Sequence, residues 1–240
     1  MIDKYIDASK NMTPSGGGTN KKCYSFDDVV LLVGAFVNGA DEESILKNKL
    51  DSLQANGVNV CRILEKACVD GKEYELQEKA KGEELFQFCC WYTPEGQRKF
   101  LETLNSLSNQ DISFYKKFLD DWSKILQMGF AIDPSKSTNF FYDGKEISFI
   151  DLNLTGNYER EREWMLIHAA VVLRGGGALW FCKDVMDEAK EKVKIIYQKL
   201  GKVGLELGED MDKYISYLDP DGECGLKEYF EAHKNGPSMR

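Results

Sequence analysis

The apolar pattern changes period near residue 80, and this constrains the fold more than any other feature of the chain. Before that point short apolar or alternating runs sit between turn residues, at residues 22–26, 29–37, 58–66 and 73–80. Asp27-Asp28 and Asp70-Gly71 read as hairpin turns. Residues 41–55 break the strand pattern. Ile45, Leu46, Lys49, Leu50 and Leu53 recur at helical spacing, acids fill the first turn, and Asn56-Gly57 stops the helix. The first 80 residues therefore read β-β-α-β-β, after a polar stretch over residues 1–20.

Beyond residue 80 the helical period dominates. Residues 95–107 and 111–128 are amphipathic, and Phe114, Phe118, Trp122, Ile125 and Leu126 form the apolar stripe of the second. A β-hairpin follows, over 139–142 and 147–152, turning at Asp143-Gly144. Residues 159–234 read as mostly helical, broken at Gly175-Gly176-Gly177 and over 201–208. The fold class expected is α+β, with a β-rich part over 1–80 and a helical part over 81–240.

Composition narrows the function classes. Of 240 residues 42% are apolar and 30% charged, which fits a soluble globular chain. No apolar run nears the roughly 20 residues of a membrane span. A net charge of −9 argues against the broad basic patch of a nucleic-acid binder, though it leaves room for a local basic groove. Seven cysteines, an odd number without a C-x-x-C, argue for reduced thiols rather than a disulfide framework or zinc ribbon. Residues 1–10 lack the apolar core of a Sec signal. The expected location is the cytoplasm, or outside the cell as an effector exported without a Sec signal.

The chemistry concentrates between residues 133 and 153. A helix ending at Gly129 leads into a loop carrying Asp133 and Asn139; the hairpin follows, and its apolar second arm ends in Asp151. Asn139 and Asp151 are hard-oxygen ligands suited to Mg²⁺ on phosphates. Asp133 can accept a proton from, or orient, a hydroxyl nucleophile. The competing reading of each is an ordinary turn residue.

This segment resembles the protein kinase-like superfamily. Asp133 is similar to its catalytic-loop Asp, Asn139 to its metal-binding Asn and Asp151 to the Asp of its DFG motif. Three departures stand out: Asn139 follows Asp133 by six residues instead of five, Ala131-Ile132 replaces His-Arg, and Asp151-Leu152-Asn153 replaces DFG. The Asp-Pro start is also similar to the atypical, UbiB-like kinases.

Gly16-Gly17-Gly18, ahead of the first hairpin, resembles the family's glycine-rich loop, where backbone amides approach phosphates. The strand that should carry the phosphate-anchoring lysine, Val29-Val30-Leu31-Leu32-Val33, has none. With Gly16 and Gly18 as the first two loop glycines, Lys21 falls where with-no-lysine kinases carry their replacement. A solvated surface lysine is the competing reading. Residues 74–86 resemble the family's fifth strand, hinge and the start of the next helix. Gln77 would be the gatekeeper, the Glu78 carbonyl and Ala80 amide would meet adenine, and Glu84 the ribose. Glu43 is the weakly marked candidate for a glutamate partner on the helix.

The resemblance implies a bilobal fold binding ATP and Mg²⁺ and transferring phosphate to Ser or Thr hydroxyls of a protein, with an activating partner left unidentified. Alternatives are a pseudokinase interaction module, a small-molecule phosphotransferase and an AMP transferase. Several other features read as structural. Asp219-Pro220-Asp221-Gly222 looks like a Ca²⁺ loop, but Cys224 and Phe230 stand where Gly and Glu are needed, so a turn between helices is expected. His168, on an apolar helix, reads as a core histidine. Trp164, Leu173, Leu179, Trp180 and Phe181 read as core of the helical part, and the acidic stretch over 206–212 as a solvated face or loop.

Overall fold

In a computed structural model the described residues are 1–17, 21–34, 40–86, 93–154, 158–176 and 182–233. The chain is mixed α and β, with a small antiparallel sheet and a helical part, as the change of period predicts. It forms two compact units. One comprises Met1–Lys81 with Ser148–Ile150, the other Gly82–Ile147 with Asp151–Arg240.

The first unit is built on a five-stranded antiparallel sheet. Its strands are β1 (Gly16–Gly17), β2 (Lys21–Ser25), β3 (Val29–Gly34), β4 (Ile63–Val69) and β5 (Lys72–Glu78), in the order β1-β2-β3-β5-β4. The helix expected from 41–55 is α2 (Ala40–Ala55). The polar start of the chain conceals a further helix, α1 (Asp3–Ser9). Ile2 and Ile6, one turn apart, pack on Val29, Leu31 and Leu76, so α1 closes one face of the sheet. Residues 58–62, expected as strand, precede β4. The chain there runs through a bridge from Val60 to Phe149, whose amide donates to the Asn59 carbonyl at 2.8 Å.

A polar corner fixes the end of β5. The Glu78 carboxylate accepts from Gln54 of α2 at 2.9 Å and from the Arg62 backbone amide and guanidinium at 3.2 and 3.0 Å. Partial burial pushes this carboxyl up, but the Arg62 and Gln54 hydrogen bonds and the Arg62 charge outweigh it and hold it below its ordinary value.

The second unit is helical. α3 (Pro94–Asn109) starts with Thr93 accepting the Gly96 amide at 3.0 Å, and α4 (Ile112–Gln127) with Asp111 accepting that of Phe114 at 3.2 Å. The stripe read from the sequence is the buried face of α4, including Phe118, Trp122, Ile125 and Leu126. It packs among α5 (Tyr158–Glu163), α6 (Met165–Leu173) and α7 (Met186–Glu206). Lys199 of α7 donates to the Ser108 carbonyl at 2.7 Å and so caps the end of α3.

Three expectations are corrected. The segment expected to open a helix at about residue 82 is β6 (Glu83–Glu84), and α3 begins only at Pro94. The break expected over 201–208 falls only at the end of that range, because α7 runs to Glu206 and the turn follows at Leu207 and Gly208, the latter at φ +73°. Gly201 and Gly204 are buried contacts: a Cβ there would lie 2.2 Å from a Phe230 ring carbon and 2.5 Å from a Leu166 methyl. The acidic stretch after α7 is not merely solvated, since Glu209 pairs with Arg162 and Asp210 caps α8 (Met211–Leu218). The Ca²⁺-like segment is a turn leading into α9 (Leu226–His233). The buried Asp219 there accepts the amides of Cys224 and Leu226 at 2.8 and 2.9 Å. Among the described residues no helix is long and apolar enough to cross a membrane.

β6 is held against β8 (Phe140–Tyr142), with Glu83 opposite Tyr142, and β9 (Ile147–Phe149) follows in the chain. Gly82 permits this approach: its φ is +86°, and a Cβ would lie 2.2 Å from the Tyr142 carbonyl oxygen. Gly82→Ala combines left-handed strain with a backbone clash and is expected to cost about 2 kcal/mol or more. Urea unfolding measures it, and an unchanged midpoint would show that β6 has moved off β8 at no cost.

Candidate functional site

In the first unit, Gly16 and Gly17 form β1 and pair with Cys23 and Lys22. Gly18 lies outside the described residues, as does the side chain of Glu43. Lys21 opens β2 opposite Gly34, and Lys22 stands opposite Val33. Strand alternation puts the two lysines on opposite faces. Lys22 shares the α1 side with Val33, while Lys21 shares the other face with Leu32 and Glu75. β3 carries no cation. Glu78 ends β5 with its carboxylate committed to Arg62 and Gln54, and Ala80 follows, half-buried.

The second unit holds Glu84, Asp133, Asn139 and Asp151. Glu84, expected near a helix start, lies in β6 opposite Phe141, and burial pushes its carboxyl up. The other three are organised by a two-residue strand pair. β7 (Phe130–Ala131) runs antiparallel to β10 (Asn153–Leu154), with Ala131 opposite Asn153 and Phe130 opposite Leu154. The pairing ends there; Asp133 follows Ala131 by two residues, and Asp151 precedes Asn153 by two.

Asp133 opens a tight turn. One carboxylate oxygen accepts from the Ser135 amide at 3.0 Å and the Ser135 hydroxyl at 2.6 Å, and the other lies 3.6 Å from the Lys136 ammonium. Partial burial raises its carboxyl, but Ser135 and Lys136 outweigh burial and hold it below the ordinary value. Asn139 is buried, in a single 3-10 turn (Ser137–Asn139), and its side-chain amide points to the Asp133 carbonyl at 3.5 Å. Asp151 is exposed and takes φ +53°, a left-handed conformation uncommon outside glycine.

The donor set is two carboxylates and an amide. Among the described residues no group of three or more His, Cys, Asp or Glu side chains is arranged to hold a metal. A sparse oxygen set suits Mg²⁺, which keeps waters and phosphate oxygens as its remaining ligands, better than a metal caged by protein alone.

His168 joins this neighbourhood. It is half-buried on α6, stacked beside Trp164 with centroids 6.3 Å apart, rather than sealed in the core. Burial lowers its pKa, while the nearby charges of Glu161 and Asp133 oppose the shift. Nothing in its apolar sequence surroundings signals that proximity, which arises from packing. Trp164, expected as core, is half-buried and carries the Lys213 ammonium over its ring at 3.9 Å. Leu179, Trp180 and Phe181 lie outside the described residues.

No family model matches the chain, and no curated protein does. Among solved structures it is similar to WbdD in complex with the kinase inhibitor LY294002, at 10% identity and a TM-score of 0.41. That match covers 85% of this chain, which spans about half (49%) of WbdD. It is also similar to a choline/ethanolamine kinase family protein from Mesorhizobium loti, at 11% identity and a TM-score of 0.36, covering 96% of this chain and 95% of that one. Superpositions this loose assign neither family nor activity.

The Asp133 turn has a measurable signature. Its carboxyl is expected to titrate below the ordinary ~3.9, and Ser135→Ala to raise the midpoint. Because the folded-state value is the lower one, the associated stability is present above the unfolded value and is lost as pH falls through the folded one. Carboxyl ¹³C shifts followed against pH test this, and an unmoved midpoint in the variant would break the link to Ser135.

Proposed function

We propose that the chain transfers a phosphoryl group from ATP·Mg²⁺ to a hydroxyl acceptor, as a small atypical member of the protein kinase-like superfamily. The observation that supports this best is the β7–β10 pairing, which joins the segment leading to Asp133 with the segment that follows Asp151, while the Asn139 side-chain amide lies 3.5 Å from the Asp133 carbonyl. The order of elements agrees with the reading: paired glycines, hairpin, helix, two strands, two long helices, a loop with Asp and Asn, a hairpin, then Asp.

In this reading Asn139 and Asp151 hold Mg²⁺, which when bound neutralises charge on the transferring phosphates. Asp133, kept ionised by Ser135 and Lys136, orients the attacking hydroxyl and accepts its proton. Lys21 supplies positive charge to the phosphates; the Glu78 carbonyl and Ala80 amide meet adenine, and Glu84 the ribose. Side chains at the two hinge positions are then free to vary, since backbone atoms make the contact. The first acceptor to test is a Ser or Thr hydroxyl of a protein.

γ- and α-labelled ATP separate the outcomes. Label transferred from the γ position to protein or to a small hydroxyl compound supports the proposal, and transfer from the α position identifies AMP transfer instead. Nucleotide binding without any transfer across a broad acceptor panel identifies a pseudokinase. Asp133→Ala is expected to lower transfer about 10²-fold or more while ATP affinity is kept. Asp151→Ala is expected to abolish Mg²⁺-dependent binding or turnover. Lys21→Met is expected to reduce turnover far more than Lys22→Met, whose side chain shares the α1 face; equal effects would remove Lys21 from the site.

A further inference from the structure

Asp133 already holds a hydroxyl of its own chain. Ser135, an exposed residue, donates its hydroxyl proton to one Asp133 carboxylate oxygen at 2.6 Å, and its backbone amide donates to the same oxygen at 3.0 Å. The first distance lies in the short range of hydroxyl–carboxylate hydrogen bonds. An ionised Asp133 only accepts, so the single Ser135 proton sits between the two oxygens and the lone pairs of the serine oxygen turn away from the carboxylate.

The turn does not depend on this hydroxyl. The Ser135 and Lys136 amides close it, donating to the Asp133 side chain and carbonyl at 3.0 and 3.3 Å. What the hydroxyl adds is the arrangement a phosphoryl acceptor needs: an oxygen within reach of the base, its proton directed at that base, its lone pairs outward. Ser135 is tethered two residues from Asp133. It therefore meets the base at an effective concentration of roughly 10⁵ M or more if well oriented, which no separate acceptor matches.

We infer that Ser135 is a modification site of this protein, phosphorylated in cis by the Asp133 site, and that the modification opens the Asp133 turn. This rests on the phosphoryl-transfer reading above. The Ser135 oxygen forms a bond to the γ-phosphorus of ATP, the bond from that phosphorus to the β,γ-bridging oxygen breaks, and ADP leaves with the electron pair. The hydroxyl proton passes to Asp133 and from there to water. The product carries a charge of about −1.5 to −2 where the hydroxyl donor stood. Asp133 then loses one hydrogen bond and gains a like-charged neighbour, so the reaction limits itself to one phosphate per chain at this loop.

The test uses the full chain with γ-labelled ATP·Mg²⁺ and no added acceptor, with the label located by mass spectrometry of peptides. Label on Ser135 is expected, at a rate per chain that dilution of the protein leaves unchanged. Ser135→Thr, which keeps a hydroxyl at the position, is expected to carry the label on the threonine, whereas Asp133→Asn is expected to leave Ser135 unlabelled. In the modified protein the Asp133 carboxyl, followed by ¹³C shifts against pH, is expected to titrate at higher pH than in the unmodified one. Label on other residues or on an added hydroxyl compound, with Ser135 unmodified, would overturn the inference and leave the phosphoryl-transfer reading standing. A rate per chain that rises with protein concentration would overturn the assignment in cis. No ATP-dependent label anywhere, with acceptors supplied, would remove the phosphoryl-transfer reading itself and the inference with it.

Discussion

Two short strands of two residues each, β7 and β10, set the chemistry of the second unit. Their pairing joins points more than twenty residues apart in the chain and brings the loop that opens at Asp133 alongside the turn at Asp151. So short a ladder has little intrinsic stability, and the core supports it. Phe130 is fully buried beneath it, as are Ile132 and Phe140 on the adjoining segments. The apolar stripe of α4 builds much of that core, with Trp122 and Phe140 in tilted contact at 5.7 Å. The oxygen donors are therefore positioned by hydrophobic packing behind them, and the hydrogen bonds among them are few and local.

The first unit divides its labour differently. One face of the sheet is closed by α1 and holds together by apolar burial, and the other carries the Lys21 side chain and the Lys66–Glu75–Gln77 set. Strand alternation produces this division, since a one-residue shift of any strand would exchange the faces. The corner made by Arg62, Gln54 and Glu78 pins α2 to the end of β5 and the start of β4, so the register has a polar lock as well as an apolar one.

Much of the element order was legible because each element carries its own local signal. Acids in the first turn and Asn56-Gly57 at the end bound α2, and Asp70-Gly71, both at positive φ, turn the β4–β5 hairpin. The stripe on α4 declares its buried face. What failed to show was decided by partners distant in sequence. α1 has only Ile2 and Ile6 to mark it, and its stability comes from the sheet beneath. Gly201 and Gly204 look like helix breakers but serve as close contacts, because Phe230 and Leu166 lie against them. Residues 83–84 form a strand because Phe141 and Tyr142 offer an edge.

By itself the sequence determined which residue types could do chemistry and their order: Asp133, Asn139 and Asp151, with the glycines and Lys21 far upstream. It also determined the change from strand to helix near residue 80, since both depend on neighbours within a few positions. The tertiary structure alone decided that the segment leading to Asp133 pairs with the one that follows Asp151, that His168 is half-buried rather than sealed in the core, and that Lys66 meets Glu75 on the face Lys21 shares. Those relations are set by register and burial between distant segments, where the free energy belongs to pairs of surfaces and no single stretch of chain encodes it.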